Sequence, residues 1–228
     1  MKVRIIYLAA GNSRRFGRNK LFYEVEGKPM YRHLLERLVR VCGRHPGWEI
    51  VVVTRYEEIL SEIGELPVVP VFCEDSRRGA SYSIRAGILA ETPGERAEAL
   101  AFFVADQPFL TEETAESFLE TMEAARASLG CVSHGGETGN PVWFSREYVP
   151  ELLALSGDMG GRRVLKAHLE TARLFPVENP GELEDMDQAP EETKPPEETR
   201  PPNGTRAAGG DQVSGESGCF GAVSNGKL

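Results

Sequence analysis

The sequence lacks the long apolar run and the excess of basic charge that characterise membrane-spanning and nucleic-acid-binding proteins. No stretch of its 228 residues approaches the roughly 18 consecutive apolar residues of a transmembrane helix, and the amino terminus has no signal-peptide pattern. Acidic residues number 35 against 26 lysines and arginines, so a net charge of −9 offers no broad basic face to a phosphate backbone. We therefore predict a cytoplasmic globular protein without a nucleic-acid or membrane partner.

Cysteine is scarce, and its spacing matches no metal or disulfide pattern. Widely separated cysteines form neither a zinc motif nor the framework of a small secreted domain, so we expect reduced thiols, some of them buried. The four cysteines are Cys42, Cys73, Cys131 and Cys219.

Large apolar side chains are nearly missing from residues 188–228, which contain five prolines and seven glycines. Such a segment cannot offset the entropy of ordering by burying apolar surface. We predict a disordered tail there, with a partner-binding segment as the alternative. The predicted domain covers residues 1–187.

Within this domain, short apolar runs alternate with longer amphipathic stretches. The runs predict strands at residues 3–10, 49–54, 68–73 and 100–105. Helical spacing predicts helices at residues 29–42, 81–90 and 111–127. Pro70 makes its strand an edge or irregular one, Pro29 suits the first turn of a helix, and Thr111 suits an N-cap. This alternation predicts an α/β domain with a mostly parallel sheet, in which ligands bind outside the carboxyl ends of the strands.

The loop that follows the first predicted strand has the composition of an anion-binding loop. Ala9, Ala10 and Gly11 let a ligand approach the backbone, whose exposed amides can bind an anion. The loop also supplies four cations, Arg14, Arg15, Arg18 and Lys20. A polyphosphate fits this loop, although a solvated basic loop is the alternative. Neither the P-loop motif nor the dinucleotide fingerprint is present.

These residues resemble the signature of the MobA-like nucleotidyltransferases, Leu-Ala-Ala-Gly-x-Ser-x-Arg-x-Gly-x-x-Lys. The chain matches it at Leu8, Ala9, Ala10, Gly11, Ser13, Arg15, Gly17 and Lys20. The resemblance implies a three-layer, Rossmann-like nucleotidyltransferase (GT-A-like) fold whose first loop wraps a nucleoside triphosphate. The nucleotide-binding residues that it implies here are Leu8, Ala9, Ala10, Gly11, Ser13, Arg14 and Lys20. Lys20 would neutralise phosphate charge, and Arg15 would hold the loop or the phosphates.

An aspartate follows the fourth predicted strand, in the sequence Ala105-Asp106-Gln107-Pro108. Taken alone, an aspartate near a proline is usually a turn former. The resemblance implies that Asp106 is the metal-binding carboxylate of the family, which would hold Mg²⁺ shared with the substrate phosphates. Asp187 is the candidate second metal ligand, with Asp185 as the alternative and a merely solvated acidic run as a third possibility.

Residues 79–87, which include the start of the second predicted helix, contain glycine and hydroxyl residues. Its amino terminus can face an anion or a ribose, although an ordinary serine-capped helix explains the same residues. In the molybdopterin branch of the family a similar Gly-x-Ser-x-Ser-x-Arg-x-Gly stretch borders the nucleotide. This resemblance implies nucleotide contacts at Ser81 and Ser83, and Asp75 lies just upstream as a further candidate.

Two later stretches, residues 139–145 and 157–162, resemble the acceptor motifs of the same branch. Glycines beside an asparagine, an aspartate and an arginine suit a polar, phosphorylated heterocycle. The candidate acceptor-binding residues are Asn140, Asp158, Gly160 and Arg162. Asn140 stands where many cytidylyltransferases of molybdopterin have histidine. Without the resemblance, a turn and a helix-entry loop would explain these stretches.

The resemblance to the molybdenum cofactor cytidylyltransferase branch implies a reaction. CMP would pass from CTP to the terminal phosphate of molybdopterin with release of pyrophosphate, with Mg²⁺ as cofactor and a recipient molybdoenzyme as a further partner. The alternatives are a related transferase that uses GTP or activates another phosphorylated small molecule, and a catalytically silent nucleotide-binding accessory protein for molybdoenzymes.

Overall fold

A computed structural model of the protein describes residues 1–11, 19–92 and 96–186. The predicted tail from residue 188, with Cys219, lies outside the described residues, as does the middle of the first loop. No helix in the described part of the chain is long and apolar enough to cross a membrane.

A seven-stranded sheet forms the centre of the fold. Its strands are β1 (Val3–Ala9), β4 (Trp48–Thr54), β5 (Val69–Phe72), β6 (Ala99–Val104), β7 (Leu129–His134), β8 (Glu137–Ser145) and β9 (Arg173–Pro176). They lie in the order β5-β4-β1-β6-β8-β7-β9, and a separate hairpin joins β2 (Glu24–Val25) to β3 (Lys28–Pro29). β8 runs antiparallel to both of its neighbours, whereas the other pairs in the sheet are parallel. The prediction of a mostly parallel sheet is confirmed.

Helices cover both faces of the sheet. They are α1 (Met30–Arg44), α2 (Glu57–Ile63), α3 (Ala80–Leu89), α4 (Glu112–Ala124), α5 (Val149–Ala154) and α6 (Arg162–Ala167). The helices α1, α2 and α4 share one apolar core with Ile5 and Tyr7 of β1, while α3, α5 and α6 share the other core with Ile6. Successive side chains of β1 therefore point to opposite faces, and the three-layer prediction is confirmed.

The predicted elements agree with the structure to within about three residues at their ends. Thr111 caps α4 by accepting a hydrogen bond from the backbone N–H of Thr114. β5, which contains Pro70, is an edge strand of the sheet, where the missing N–H of proline costs least. Pro29 ends β3 and precedes α1, so its placement inside the first helical turn was wrong by one position.

The cysteines in the described part of the chain are free thiols, as predicted. Burial raises the pKa of Cys131 to about 11 and that of Cys42 to about 12. Both thiols therefore stay protonated near neutral pH and act as small core residues.

Candidate active site

Three parallel strands end together at one edge of the sheet. In the register, Leu8 of β1 lies between Val53 of β4 and Val104 of β6. The backbone N–H of Ala105 donates to the carbonyl of Leu8 at 3.1 Å, which ties the loop after β6 to the end of β1. The loops that follow these strands therefore start side by side, at the edge where an α/β sheet binds its ligands.

The structure brings Lys20 and Asp106 together at this edge. Lys20 Nζ lies 2.7 Å from Asp106 Oδ2, although 86 residues separate them in the sequence. Asn19 positions the lysine, because its side chain accepts a hydrogen bond from the backbone N–H of Leu21 at the start of a short 3-10 helix. Lys20 is 7% exposed, and burying an ammonium is tolerated when a carboxylate neutralises it. The two residues predicted to carry the chemistry form one largely buried ion pair.

The loop that carries Asp106 is held by contacts with α1 and with the segment at Leu183. Arg37 of α1 donates to the carbonyls of Pro108 and Leu110, the latter at 2.8 Å. Gln107 is buried and donates through Nε2 to the carbonyl of Leu183 at 3.0 Å. These contacts hold the Asp106 carboxylate in a fixed place, as a catalytic group requires.

The Asp106 carboxylate retains the capacity to hold a cation. Its side chain is 25% exposed, and the hydrogen bond it accepts from a side chain in the described part of the chain comes from Lys20 to Oδ2. The backbone N–H of Met186 donates to the Asp106 carbonyl at 2.9 Å, which brings residues 185 and 186 beside Asp106. Carboxylate oxygens are the ligands that Mg²⁺ and Mn²⁺ prefer, so this donor set fits a divalent metal.

The first loop is anchored at Gly11 by a neighbouring strand. Tyr56, just after β4, donates its hydroxyl hydrogen to the Gly11 carbonyl at 2.8 Å. Arg55 donates to the Tyr56 hydroxyl at 2.7 Å and lies over its ring, and Arg55 Nε is buried without a hydrogen-bond partner in the described residues. Ala9 and Ala10 are buried, whereas Leu8 is half-buried and Gly11 is exposed. The backbone of the predicted nucleotide loop is thus fixed where it leaves the sheet.

The predicted contacts at the start of α3 are partly committed to the protein itself. Ser81 is buried and donates to the carbonyl of Gly157 at 2.8 Å. Ser83 is buried and donates to the hydroxyl of Ser76 at 2.8 Å. Asp75 is exposed and pairs with Arg78 at 3.4 Å. Their assignment to the nucleotide stays a prediction.

The predicted acceptor residues lie on β8 and on the segment before α6. Arg162 is exposed and donates to the carbonyl of Thr138 at 3.4 Å, two residues before Asn140 in β8. Asp158 is exposed, and Gly160 has open space around its Cα. The two acceptor motifs therefore lie against each other. Their assignment to an acceptor stays a prediction.

Several predicted site residues lie outside the described part of the chain. They are Ser13, Arg14, Arg15 and Asp187.

Four residues that hold the loops at this edge of the sheet were missed in the sequence. They are Arg37, Arg55, Tyr56 and Gln107. Arg55 and Tyr56 directly follow a buried strand, so the rule that selected Asp106 would also have selected them. Arg37 lies in the middle of an amphipathic helix, where a single arginine carries no such signal.

A second group of potential metal ligands lies away from this edge. His45, Glu116 and Glu120 bring one ligand atom each to within 4.8 Å of one another. Arg44 donates two hydrogen bonds to the Glu116 carboxylate, at 2.9 and 2.6 Å, and His45 Nε2 lies 2.8 Å from the same carboxylate. The charge of the Glu116 carboxylate is therefore neutralised by its neighbours.

Comparison with known proteins gives a consistent result. A family profile described as "MobA-like NTP transferase domain" matches residues 5–172. The purine catabolism protein PucB of Bacillus subtilis is 31% identical over 198 residues, which cover 82% of this chain and 92% of PucB. The molybdenum cofactor guanylyltransferase of Rhodobacter capsulatus is 32% identical over 57% of this chain and 64% of its own. Among solved structures, the manganese complex of Rv0371c from Mycobacterium tuberculosis superposes with a TM-score of 0.62 at 20% identity, over 78% of this chain and 89% of that one.

Proposed function

Because the chain belongs to the family of MobA-like NTP transferases and is a nucleotidyltransferase, we propose that it transfers CMP from CTP to molybdopterin. The acceptor atom is an oxygen of the terminal phosphate of the pterin, in the free or molybdenum-loaded cofactor. The single observation that carries this proposal is the buried Lys20–Asp106 pair at the carboxyl edge of the sheet.

In the proposed reaction the terminal phosphate of the acceptor attacks the α-phosphorus of the triphosphate. A new phosphorus–oxygen bond forms, the bond to the β-phosphate oxygen breaks, and pyrophosphate leaves. The nucleophile is already anionic, so the reaction requires no side-chain base. Catalysis then depends on alignment and on neutralising the charge of the reacting phosphates.

Lys20 and Asp106 have complementary tasks in this reaction. The ammonium of Lys20 would bind phosphate oxygens, and the Asp106 carboxylate would hold a divalent metal, Mg²⁺ in our proposal, which would neutralise charge on the triphosphate. Support for a metal comes from the donor chemistry of Asp106 and from Rv0371c, a protein of the same fold described in complex with manganese. Asp187 would supply a second carboxylate, and Arg15 a further cation.

The nucleotide and acceptor assignments come from the sequence motifs. Leu8 to Gly11 would border the base and phosphates, together with Ser13 and Arg14. Ser83 and Asp75 are the further nucleotide candidates. The sequence motif names Ser81 as well, but its hydroxyl donates to the Gly157 carbonyl. The acceptor candidates, Asn140, Asp158, Gly160 and Arg162, suit a phosphorylated pterin, and a recipient molybdoenzyme would then take the product.

Two observations favour variants of this function. The guanylyltransferase relatives favour GTP as an alternative nucleotide. The similarity to PucB, which spans most of both chains, favours a role of the same nucleotidyl transfer in purine catabolism. Both alternative functions use the Lys20–Asp106 pair and release pyrophosphate. They differ from the proposed function in the nucleotide base or in the acceptor.

The deciding experiment is a measurement of pyrophosphate release with purified molybdenum cofactor and Mg²⁺, with CTP, GTP, ATP and UTP supplied separately. We expect release with CTP, and none when the cofactor is omitted. Release with GTP alone would contradict the choice of base but keep the reaction. Nucleotide binding without release from any of the four would contradict the proposed acceptor and favour a catalytically silent binding protein.

A further inference from the structure

Helix α3 packs closely on the segment that carries the second acceptor motif. A Cβ on Gly79, the residue before α3, would lie 2.2 Å from the carbonyl carbon and oxygen of Gly157 and 2.6 Å from the amide nitrogen of Asp158. Gly79 also has φ +138°, a conformation that favours glycine. No other residue fits there, so the start of α3 and the loop at Gly157 touch backbone to backbone.

Ser81 adds two hydrogen bonds to the same contact. Its hydroxyl donates to the Gly157 carbonyl at 2.8 Å, and its backbone N–H donates to that carbonyl at 3.2 Å. Ser81 is 1% exposed. A serine hydroxyl has one hydrogen to donate, and a phosphate needs donors. The hydrogen that Ser81 would offer to a nucleotide phosphate is therefore already held by Gly157.

Arg85 extends the contact by one helical turn. Its Nη2 donates to the carbonyls of Leu153 at 3.1 Å and Leu155 at 3.2 Å, where α5 ends. The last carbonyls of a helix lack intrahelical partners, and the guanidinium of Arg85 satisfies two carbonyls there. Arg85 therefore fixes the entrance to the loop between α5 and α6.

Ser83 lies on the same helix but has a different partner. It donates to Ser76, in the segment between β5 and α3, and does not contact the loop at Gly157 through its hydroxyl. Of the four motif residues in this stretch, Gly79, Ser81 and Arg85 therefore contact the segment at residues 153–158, whereas Ser83 bonds to Ser76.

We propose that Gly79, Ser81 and Arg85 form a clasp that holds residues 155–161 in place, and that Ser81 is a positioning residue for the acceptor. The proposal rests on the proposed function, because it takes Asp158, Gly160 and Arg162 as the acceptor site. The clasp explains the glycine, the first serine and the arginine of the motif by contacts within the protein. It also links residues 155–161 to helix α3.

The first test measures amide hydrogen exchange in the full-length protein. In Ser81→Ala, amides of residues 155–162 should exchange at least about fivefold faster, as expected when a hydrogen bond of typical strength is lost. Arg85→Met should have the same effect from the other end of the clasp, which keeps the test decisive if one variant folds poorly. Ser83→Ala is the matched control and should leave exchange in these residues unchanged. Unchanged exchange in both Ser81→Ala and Arg85→Met would overturn the clasp.

The second test separates the two substrates. In Ser81→Ala the dissociation constant of CTP with Mg²⁺ should stay within about twofold of the native value, because the hydroxyl does not serve the nucleotide. The KM for molybdenum cofactor should rise by roughly five- to tenfold, the factor that corresponds to one hydrogen bond, while the KM for CTP is unchanged. A tenfold loss of CTP affinity with normal exchange at residues 155–162 would contradict the proposal and make Ser81 a nucleotide ligand.

Failure of the proposed function would look different. If no nucleotide gives turnover with molybdenum cofactor, the acceptor assignment fails. The exchange rates and the CTP dissociation constant still decide whether the clasp exists, because neither measurement needs an acceptor.

Discussion

Two ion-paired regions of the molecule use charge for different purposes. At the carboxyl edge of the sheet, one lysine meets one aspartate in a largely buried pair. Along α1 and α4, Arg40, Arg44 and His45 meet Glu112 and Glu116 in a network with more exposed arginines. The first region concentrates two charges where a triphosphate would bind, whereas the second distributes its charges over many partners.

The comparison shows why a cluster of ligand-type residues need not be a site. His45, Glu116 and Glu120 have suitable spacing for a metal, but Arg44 and His45 lower the pKa of Glu116 to about 2. A carboxylate that two cationic side chains already stabilise gains little from binding a metal ion as well. By contrast, burying Lys20 and Asp106 carries a desolvation cost that a purely structural pair of apolar residues would avoid. Such a cost is more easily understood at a functional site.

The largest expected effect is that of Asp106→Asn, which removes the charge but keeps the shape. We expect kcat for pyrophosphate release to fall by about 10²–10³-fold, the usual loss when one charge-stabilising group is removed. The variant should also unfold more easily, by about 2–3 kcal/mol, because it leaves the Lys20 ammonium buried beside a neutral group. Steady-state kinetics and urea unfolding measure the two effects.

The double variant Asp106→Asn, Lys20→Met separates catalysis from folding. It removes both charges, so much of the lost stability should return while turnover stays at or below that of Asp106→Asn. Recovery of turnover together with stability would mean that the pair is structural, and the contrast between the two regions would fail.

Tyr56→Phe should have an intermediate effect. It removes the hydroxyl that holds the Gly11 carbonyl but keeps the ring, which packs edge-on against Phe22. We expect the KM for the nucleotide to rise by about fivefold, the equivalent of one hydrogen bond, with little change in kcat. The control is Tyr148→Phe, a buried tyrosine whose hydroxyl has no hydrogen bond among the described residues, and its KM should stay normal. Equal behaviour of the two variants would remove Tyr56 from the site.

The smallest effect on activity is expected from Glu116→Gln in the exposed network. Turnover should not change, and Tm near neutral pH should fall by less than about 4 °C, as for other surface ion pairs. The pKa of Glu116 is lowered from 4.5 to about 2, so its ion pairs stabilise the fold above about pH 5 and are lost as the pH falls through 2. The Tm difference between native protein and variant should therefore be constant above pH 5 and vanish near pH 2. A difference that persists at pH 2 would contradict the assigned cause.

The sequence predicted most of the parallel half of the fold and the main pair of the site. Apolar runs identified β1, β4 and β6, because strands buried on both faces are almost continuously hydrophobic. An apolar run also identified β5, an edge strand that is only partly buried. Lys20 and Asp106 could be expected to meet because each follows a strand of the same sheet, at the same edge. The strand prediction rests on local apolar patterns, whereas the choice of Lys20 and Asp106 rests on their match to the family signature. Their roles in the reaction stay a prediction.

The other half of the fold and the supports of the site depend on contacts between distant segments. The antiparallel insertion of β8 between β6 and β7 leaves no local mark in the sequence. The partner of Ser81 is Gly157, 76 residues away, and a serine at a helix start equally predicts an ordinary cap. Local patterns identify candidate residues. The partner of each hydrogen bond is decided by tertiary packing.

The reaction itself can be followed with CTP labelled at the α- or the γ-phosphate, supplied with Mg²⁺ and purified molybdenum cofactor. Nucleotidyl transfer at the Lys20–Asp106 edge predicts that the α-label enters the cofactor and the γ-label leaves in pyrophosphate, and that Asp106→Asn loses both signals. Transfer of the γ-label to the cofactor, or α-label transfer that survives Asp106→Asn at the native rate, would contradict it.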